Sequence, residues 1–291
     1  MKDSSRIYRP PSEASSLIIQ ATVGCPYNRC AFCSMYKGVK FKIRPLEEIK
    51  EELREAREKR GEGIKSLFLA DGNTIIMKTE MLEEILLYAR SLFPRLERVT
   101  LYGAARYVDK KGLEELRRLR RAGLTRLHMG MESGDPQVLA RINKGCTPEQ
   151  IIHSCLKLKQ AGIEISLYYL AGIGGPELSQ SHALNSARVV NEIRPQFLRI
   201  RTYQPVPGSP LYEDYLQGKF RLLSPHQALR EIKLLIENLE CEGTLVLSDH
   251  YFNYWDVSGR LMQDRTVMLN EIECALVIPE EILRPQPYTY L

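Results

Sequence analysis

The sequence lacks the features of a membrane, secretory or disulfide-scaffold protein. Its 291 residues hold no apolar run approaching the roughly 18 residues a membrane helix needs. The opening residues, Met1-Lys2-Asp3-Ser4-Ser5-Arg6, begin no apolar segment of the kind a signal peptide requires. A cytoplasmic protein with no membrane partner is therefore expected. There is no internal repeat and no low-complexity stretch. The seven cysteines show no paired spacing of a secreted disulfide framework, and no second C-x-x-C exists to complete a zinc ribbon. A net charge of +5 permits an anionic or nucleic-acid partner without requiring one. What remains is an ordinary globular composition, 44% apolar and 26% charged, in a chain long enough for one large domain plus an extension.

Short apolar runs alternate with helical patterns. Strands are expected over 17–22, 66–70, 98–103, 125–131, 163–170 and 196–202. Helices are expected over 46–60, 79–92, 110–122, 148–161, 179–194 and 224–240. Pro45 precedes the acidic helix start Leu46-Glu47-Glu48-Ile49, and Thr147-Pro148-Glu149-Gln150 reads as a capping box. Gly123 and Gly162 close helices ahead of strands. Six strand–helix pairs imply a parallel α/β fold, either an open sheet or a barrel. In both, ligands bind at the C-terminal strand ends. Residues 1–14 read as a lead-in, 15–215 as the α/β body and 216–291 as an extension packed on it, with a last helix over about 264–276.

The densest chemistry is Gly24-Cys25-Pro26-Tyr27-Asn28-Arg29-Cys30-Ala31-Phe32-Cys33, directly after the first expected strand. Three thiols suit an iron–sulfur cluster or zinc, and three protein ligands leave one metal position open for chemistry. The blander reading is three buried thiols. Cys155 reads as a core residue, while Cys146, Cys241 and Cys274 lack the spacing of a second cluster but leave one conceivable.

The cysteine loop, the aromatic Phe32 before its last thiol and the six strand–helix units resemble the radical S-adenosylmethionine (SAM) superfamily. Leu69-Ala70-Asp71-Gly72-Asn73 lies where that family carries a Gly-Gly-Glu-type motif. Met129-Gly130-Met131-Glu132-Ser133-Gly134 resembles the methylthiotransferase and Elongator-like branch, and Leu170-Ala171-Gly172-Ile173-Gly174-Gly175 the glycine-rich segment near adenine. The resemblance covers about residues 15–215. It implies a partial (β/α)6 TIM-like barrel with a C-terminal extension. It also implies a [4Fe-4S] cluster on Cys25, Cys30 and Cys33, and SAM held by Asp71, Gly72, Asn73, Glu132, Gly172, Ile173 and Gly174. Reductive cleavage of SAM to a 5′-deoxyadenosyl radical is the implied activity, with an electron donor such as flavodoxin or ferredoxin. Two departures stand out: the spacing is C-x4-C-x2-C where the family's usual spacing is C-x3-C-x2-C, and Asp71-Gly72-Asn73 replaces Gly-Gly-Glu.

Arg106, after the third strand, is a candidate for the SAM carboxylate or the substrate. Asp249 and His250 belong to a polar–aromatic cluster with Tyr251, Phe252, Asn253, Tyr254 and Trp255. That cluster is either a packing cap or a substrate-facing segment in which His250 moves a proton. Arg117-Arg118-Leu119-Arg120-Arg121 is either a nucleic-acid patch or a solvated helix end. Without an RNA-binding appendage a small-molecule substrate is favoured over tRNA. No cobalamin-binding domain precedes the expected barrel. A non-enzymatic iron–sulfur or zinc protein is the alternative of a different class.

Overall fold

Leucine-rich and β-branched runs form the strands here, and apolar residues spaced three and four apart form the inner faces of the helices. The computed structural model describes residues 7–283, so residues 1–6 of the lead-in and 284–291 of the extension lie outside the described residues. In chain order the strands are β1 (Leu17–Gln20), β2 (Thr22–Val23), β3 (Lys42–Ile43), β4 (Ser66–Ala70), β5 (Arg98–Tyr102), β6 (Arg126–Glu132), β7 (Glu164–Ala171), β8 (Phe197–Thr202), β9 (Leu245–Leu247) and β10 (Gly259–Arg260). The longer helices span Leu46–Arg60, Thr79–Leu92, Leu113–Ala122, Pro148–Gln160, Gly175–Ile193, Pro225–Glu237 and Arg265–Leu276.

The chain divides into two compact units. The first takes residues up to Asn28, Met35–Met129 and His153–Ile165; the second takes Arg29–Ser34, Gly130–Ile152 and the chain from Ser166 onward. In the first unit β1, β4, β5 and the start of β6 pair in parallel, with Leu17 opposite Leu67, Leu67 opposite Val99 and Leu101 opposite Leu127. Leu67, Phe68, Leu69 and Ala70 are fully buried, as a strand covered on both faces requires. Leu82, Ile85, Leu86 and Ala89 form the buried stripe of helix Thr79–Leu92. In the second unit β7 pairs in parallel with β8 and β8 with β9, while β10 runs antiparallel to β9.

Every expected strand is present, and the boundary chemistry holds. Thr147 Oγ1 accepts from Gln150 N at 3.3 Å while Gln150 Oε1 accepts from Thr147 N at 3.0 Å. Gly123 and Gly162 both carry positive φ after their helices. Three differences have local causes. The first strand breaks after Gln20, so that Thr22–Val23 turns away to pair with Lys42–Ile43. Helix Gly175–Ile193 starts at Gly175 rather than 179, with proline in its first turn. Beyond the six expected strands, β9 adds a further parallel strand; Leu245-Val246-Leu247 is too short to show a period in the sequence.

At the base of the first unit, Glu13 is wholly buried. Its carboxylate accepts from Ser16 Oγ at 2.6 Å and lies 3.1 Å from His128 Nε2 and 3.4 Å from Arg98 Nη2. Burial alone would raise its pKa; the His128 and Ser16 hydrogen bonds and the His128 and Arg98 charges overcome that and bring it to about 2, from an ordinary 4.5. Because the folded value is depressed, the stabilisation is complete above pH 4.5 and is lost as pH falls from there toward 2. It amounts to about 3 kcal/mol. Urea unfolding from pH 6 to pH 3 is expected to show the wild type losing its advantage over Glu13→Gln across that window; a pH-independent gap contradicts it.

Candidate functional site

Cys25 follows β2, where Gly24 (φ 78°) turns the chain. The end of β4 is fitted to this turn. Asp71 is 1% exposed, and both of its carboxylate oxygens are engaged: Oδ2 accepts from Gln20 Nε2 at 2.9 Å and from Gly24 N at 3.1 Å, and Oδ1 from Tyr36 OH at 3.3 Å. Burial raises the Asp71 pKa, partly offset by these donors. Asp71 thus braces the turn that carries Cys25. Gly72 N donates to Gly24 O, and a Cβ at Gly72 would stand 2.8 Å from that oxygen and 2.9 Å from Cys25 Cβ. Asn73 Nδ2 and Asn28 N each point at Cys25 Sγ from 3.5 Å, while Asn73 Oδ1 accepts from Ala104 N at 2.6 Å.

Within the C-x4-C spacing the backbone turns at Asn28. Its φ of 45° is left-handed, which asparagine tolerates better than other side-chain-bearing residues. Asn28 Nδ2 donates to Tyr36 O at 2.6 Å, and Lys37 Nζ donates to Asn28 O at 2.9 Å. The Arg106 guanidinium stacks 3.7 Å above the Tyr27 ring, so it leans on the same loop.

In the second unit the loop segment with Cys30 and Cys33 is held by backbone. Ala31 N donates to Ile142 O at 2.8 Å, Leu211 N to Ala31 O at 2.8 Å, and Asn143 Nδ2 to Arg29 O at 3.1 Å. Glu132 ends β6 with a left-handed φ of 64° and accepts from Lys144 Nζ at 2.9 Å. Burial lowers the Lys144 pKa, but the Glu132 carboxylate and the Cys30 and Cys146 thiols outweigh it and hold the ammonium above its ordinary range. Lys144 also sits 5.6 Å over the Phe32 ring. Gly130 leaves room for this pair, because a Cβ there would overlap Glu132 Oε1.

The glycine turn after β7 is pinned by a buried carboxylate. Glu231, 3% exposed, accepts from Gly172 N at 2.7 Å, Tyr169 OH at 2.9 Å and Ser179 Oγ at 2.6 Å. His182 stacks on Tyr169 with ring centres 4.5 Å apart. Its Nε2 lies 3.2 Å from Leu170 O, a pure acceptor, so Nδ1 accepts from Ser133 Oγ at 2.8 Å. Burial lowers the His182 pKa against the opposing charge of Glu231. A buried chain of polar groups thus runs from Ser133, beside Glu132, to Gly172.

Asp249 is exposed, and His250 is half-buried. Phe252 N donates to His250 Nδ1 at 3.2 Å, and Tyr251 stacks on its ring at 4.4 Å. Burial first, and the Arg201 charge second, bring the His250 pKa to about 4, so its imidazole is neutral at pH 7 with the proton on Nε2. Asn253 clamps this segment to the end of β8: Oδ1 accepts from Thr202 N at 2.7 Å, and Nδ2 donates to Ile200 O and Ser248 O at 2.9 and 2.7 Å. The basic helix end is neutralised locally, with Arg118 paired to Glu80 and Glu83 and both Arg117 and Arg121 to Glu114. That is the pattern of a solvated helix face.

The family model of the radical SAM superfamily matches residues 19–188. The chain belongs to the radical SAM superfamily. Among curated proteins it is 22% identical over 125 residues to a tRNA uridine(34) acetyltransferase of Methanocaldococcus jannaschii, covering 43% of this chain and 23% of that protein. It is 25% identical over 221 residues to biotin synthase of Acetivibrio thermocellus, covering 75% and 64%. Among solved structures, methylornithine synthase aligns with a TM-score of 0.56 at 17% identity, covering 88% of this chain and 68% of the other. The chain thus spans less than two thirds of the length of these curated relatives. The likeness to methylornithine synthase supports the partial barrel expected of a radical SAM enzyme.

The superfamily's cofactors are a [4Fe-4S] cluster and SAM. The donors of this radical SAM chain fit the cluster. No disulfide joins any of its cysteines, and Cys25 Sγ faces two N–H donors of the kind that stabilise cluster thiolates. Among the described residues no three Cys, His, Asp or Glu side chains close round a single point. Cys241 is buried against Val190 O and Asn191, and Cys274 is exposed. Gly72→Ala is expected to displace Cys25 and lower the iron content after anaerobic reconstitution, with thermal unfolding as the control; full iron loading contradicts the fit.

Sequence reasoning missed Lys144, His182 and Glu231. The available signals were a lysine two residues before Cys146 and a lone acid at Glu231, between the apolar positions Leu229 and Ile232.

Proposed function

We propose that this chain binds a [4Fe-4S] cluster on Cys25, Cys30 and Cys33 and cleaves SAM reductively to initiate radical chemistry on a small-molecule substrate. The observation that carries the reading is the cysteine loop after β2, braced by Asp71 and Gly72 at the C-terminal end of β4 in a chain of this superfamily. When bound, the reduced cluster would supply one electron to the sulfonium of SAM, the chemistry that breaks its S–C5′ bond into methionine and a hydrogen-abstracting 5′-deoxyadenosyl radical. The protein positions and shields. Glu132, oriented by Lys144, would hold the ribose or ammonium of SAM, and the Gly172–Gly174 turn would offer backbone to adenine. Lys144 would supply a cation for the SAM carboxylate, and Arg106 one for that carboxylate or for the substrate. Asp71 acts through Gly24 and not on SAM itself. Neutral His250 is available to accept or hand on a proton, while exposed Asp249 is left a peripheral place.

No helix among the described residues is long and apolar enough to cross a membrane. We place the enzyme in the cytoplasm, with flavodoxin or ferredoxin as electron donor. A tRNA substrate is the second reading, favoured by the name of the Methanocaldococcus jannaschii relative. The test is anaerobic reconstitution with iron and sulfide, followed by reduction in the presence of SAM. About four irons, an EPR signal altered by SAM, and 5′-deoxyadenosine are expected. A colourless protein, or no 5′-deoxyadenosine, overturns the reading. Saturable tRNA binding selects the second substrate class.

A further inference from the structure

β7 has two faces with different occupants. Tyr169 meets His182 of helix Gly175–Ile193 and Glu231 of helix Pro225–Glu237, so Leu167, Tyr169 and Ala171 form the helix-covered face. Ser166, Tyr168 and Leu170 point the other way. Paired residues of parallel strands share a face, and Tyr168 pairs with Arg199 and Leu170 with Arg201. The face turned from the helices therefore carries two arginines on β8. Barrel enzymes use the C-terminal end of this inner face for their ligands.

Neither arginine has an acid. Arg199 is 6% exposed, and its Nε donates to Ser166 Oγ, a neutral group, at 3.0 Å. Arg201, nearer the strand's end, lies 4.9 Å over the Tyr168 ring. Among the described residues no carboxylate pairs with either guanidinium. The remaining neighbour, His250, is neutral, in part because Arg201 repels its charged form. Elsewhere in this unit Arg188 and Arg221 do have acids, Glu192 and Glu177. Two sheltered cations on one strand face, with no counter-charge, make a site whose charge is completed by something outside the chain. The planar fork of arginine selects a carboxylate or phosphate, and Tyr168 fixes its plane.

We propose that Arg201, backed by Arg199, is an anion-recognition site on the inner face of β8, taking a carboxylate or phosphate group. The inference rests on the radical SAM reading, and two molecules carry that chemistry there: the substrate, and SAM through its own carboxylate. The probe is inorganic phosphate, titrated calorimetrically into the anaerobically reconstituted holoenzyme with and without saturating SAM. Wild type, Arg201→Gln and Arg201→Lys are compared.

If the anion belongs to the substrate, phosphate binds the SAM-loaded enzyme. Arg201→Gln then weakens phosphate at least about tenfold, the loss of a charge-assisted pair, and leaves SAM affinity unchanged. If it belongs to SAM, phosphate competes with SAM and Arg201→Gln weakens both. Either result supports the site, and Arg201→Lys is expected to retain part of the affinity. Should Arg201→Gln misfold, phosphate protection of wild-type Arg201 from phenylglyoxal, mapped by mass spectrometry, answers the same question. Phosphate and SAM affinities unchanged in Arg201→Gln, or no protection of Arg201, overturn the proposal. Production of 5′-deoxyadenosine by the wild type is read separately: without it the radical SAM reading fails, whatever Arg201 binds.

Discussion

Cys30→Ala is expected to give a folded, colourless protein that makes no 5′-deoxyadenosine above the background of cluster-free enzyme. Removing one of three thiolates would leave an iron without its protein ligand. The fold should survive, because the neighbours Arg29 and Ala31 hold the Cys30 loop through their backbone bonds. Its thermal unfolding should stay within about 0.5 kcal/mol of wild type, as for surface changes. Cys155→Ala gives the opposite pattern. Cys155 is fully buried, 3.6 Å from Met129 Sδ, so its loss should cost about 1 kcal/mol and leave iron content untouched. Iron analysis beside unfolding curves separates the two. A brown, active Cys30→Ala protein contradicts the assignment.

Glu231→Ala carries the second-largest expected effect. The substitution leaves Gly172 N–H, Tyr169 OH and Ser179 OH facing a buried void where a carboxylate accepted all three. Stranded donors cost roughly 1–3 kcal/mol each, so a loss of about 3 kcal/mol or more is expected in urea unfolding. Stability alone would not distinguish a core residue from one that shapes a ligand site. SAM affinity of the folded, reconstituted variant does, because Gly172 N is the backbone group that Glu231 fixes. Glu231→Gln keeps an acceptor oxygen and should recover most of the stability. Its amide adds a donor facing Tyr169 or Ser179, so SAM affinity should recover only in part. Equal SAM affinity in wild type and Glu231→Ala would make Glu231 purely structural.

The parts legible in the sequence were those whose cause is local. Ser66-Leu67-Phe68-Leu69-Ala70 shows its burial in its composition, Gly123 and Gly162 announce their turns, and the cysteine loop announces the superfamily. The rest depends on partners distant along the chain. Glu231 meets Gly172 across 59 positions, and no local pattern links them. The position of Asp71 at the end of a strand on the reactive face is legible in the sequence, but its partners are not. Its oxygens accept from Gln20, Gly24 and Tyr36, contacts set by how the cysteine turn packs. Lys144 was invisible for the same reason: its worth comes from Glu132, twelve positions earlier. β9 was missed because three residues are too few to show a period.

The left-handed Asn28 has a practical consequence for finding such proteins by text. A search pattern that fixes three residues between the first two cysteines passes over this chain, whose loop has four residues there and a left-handed turn at the third. A pattern that allows a fourth residue, with asparagine or glycine at the third place after the first cysteine, admits it. The same rule says which insertions to discard: a β-branched residue at that place cannot make the kink, so such a loop would present its thiols differently.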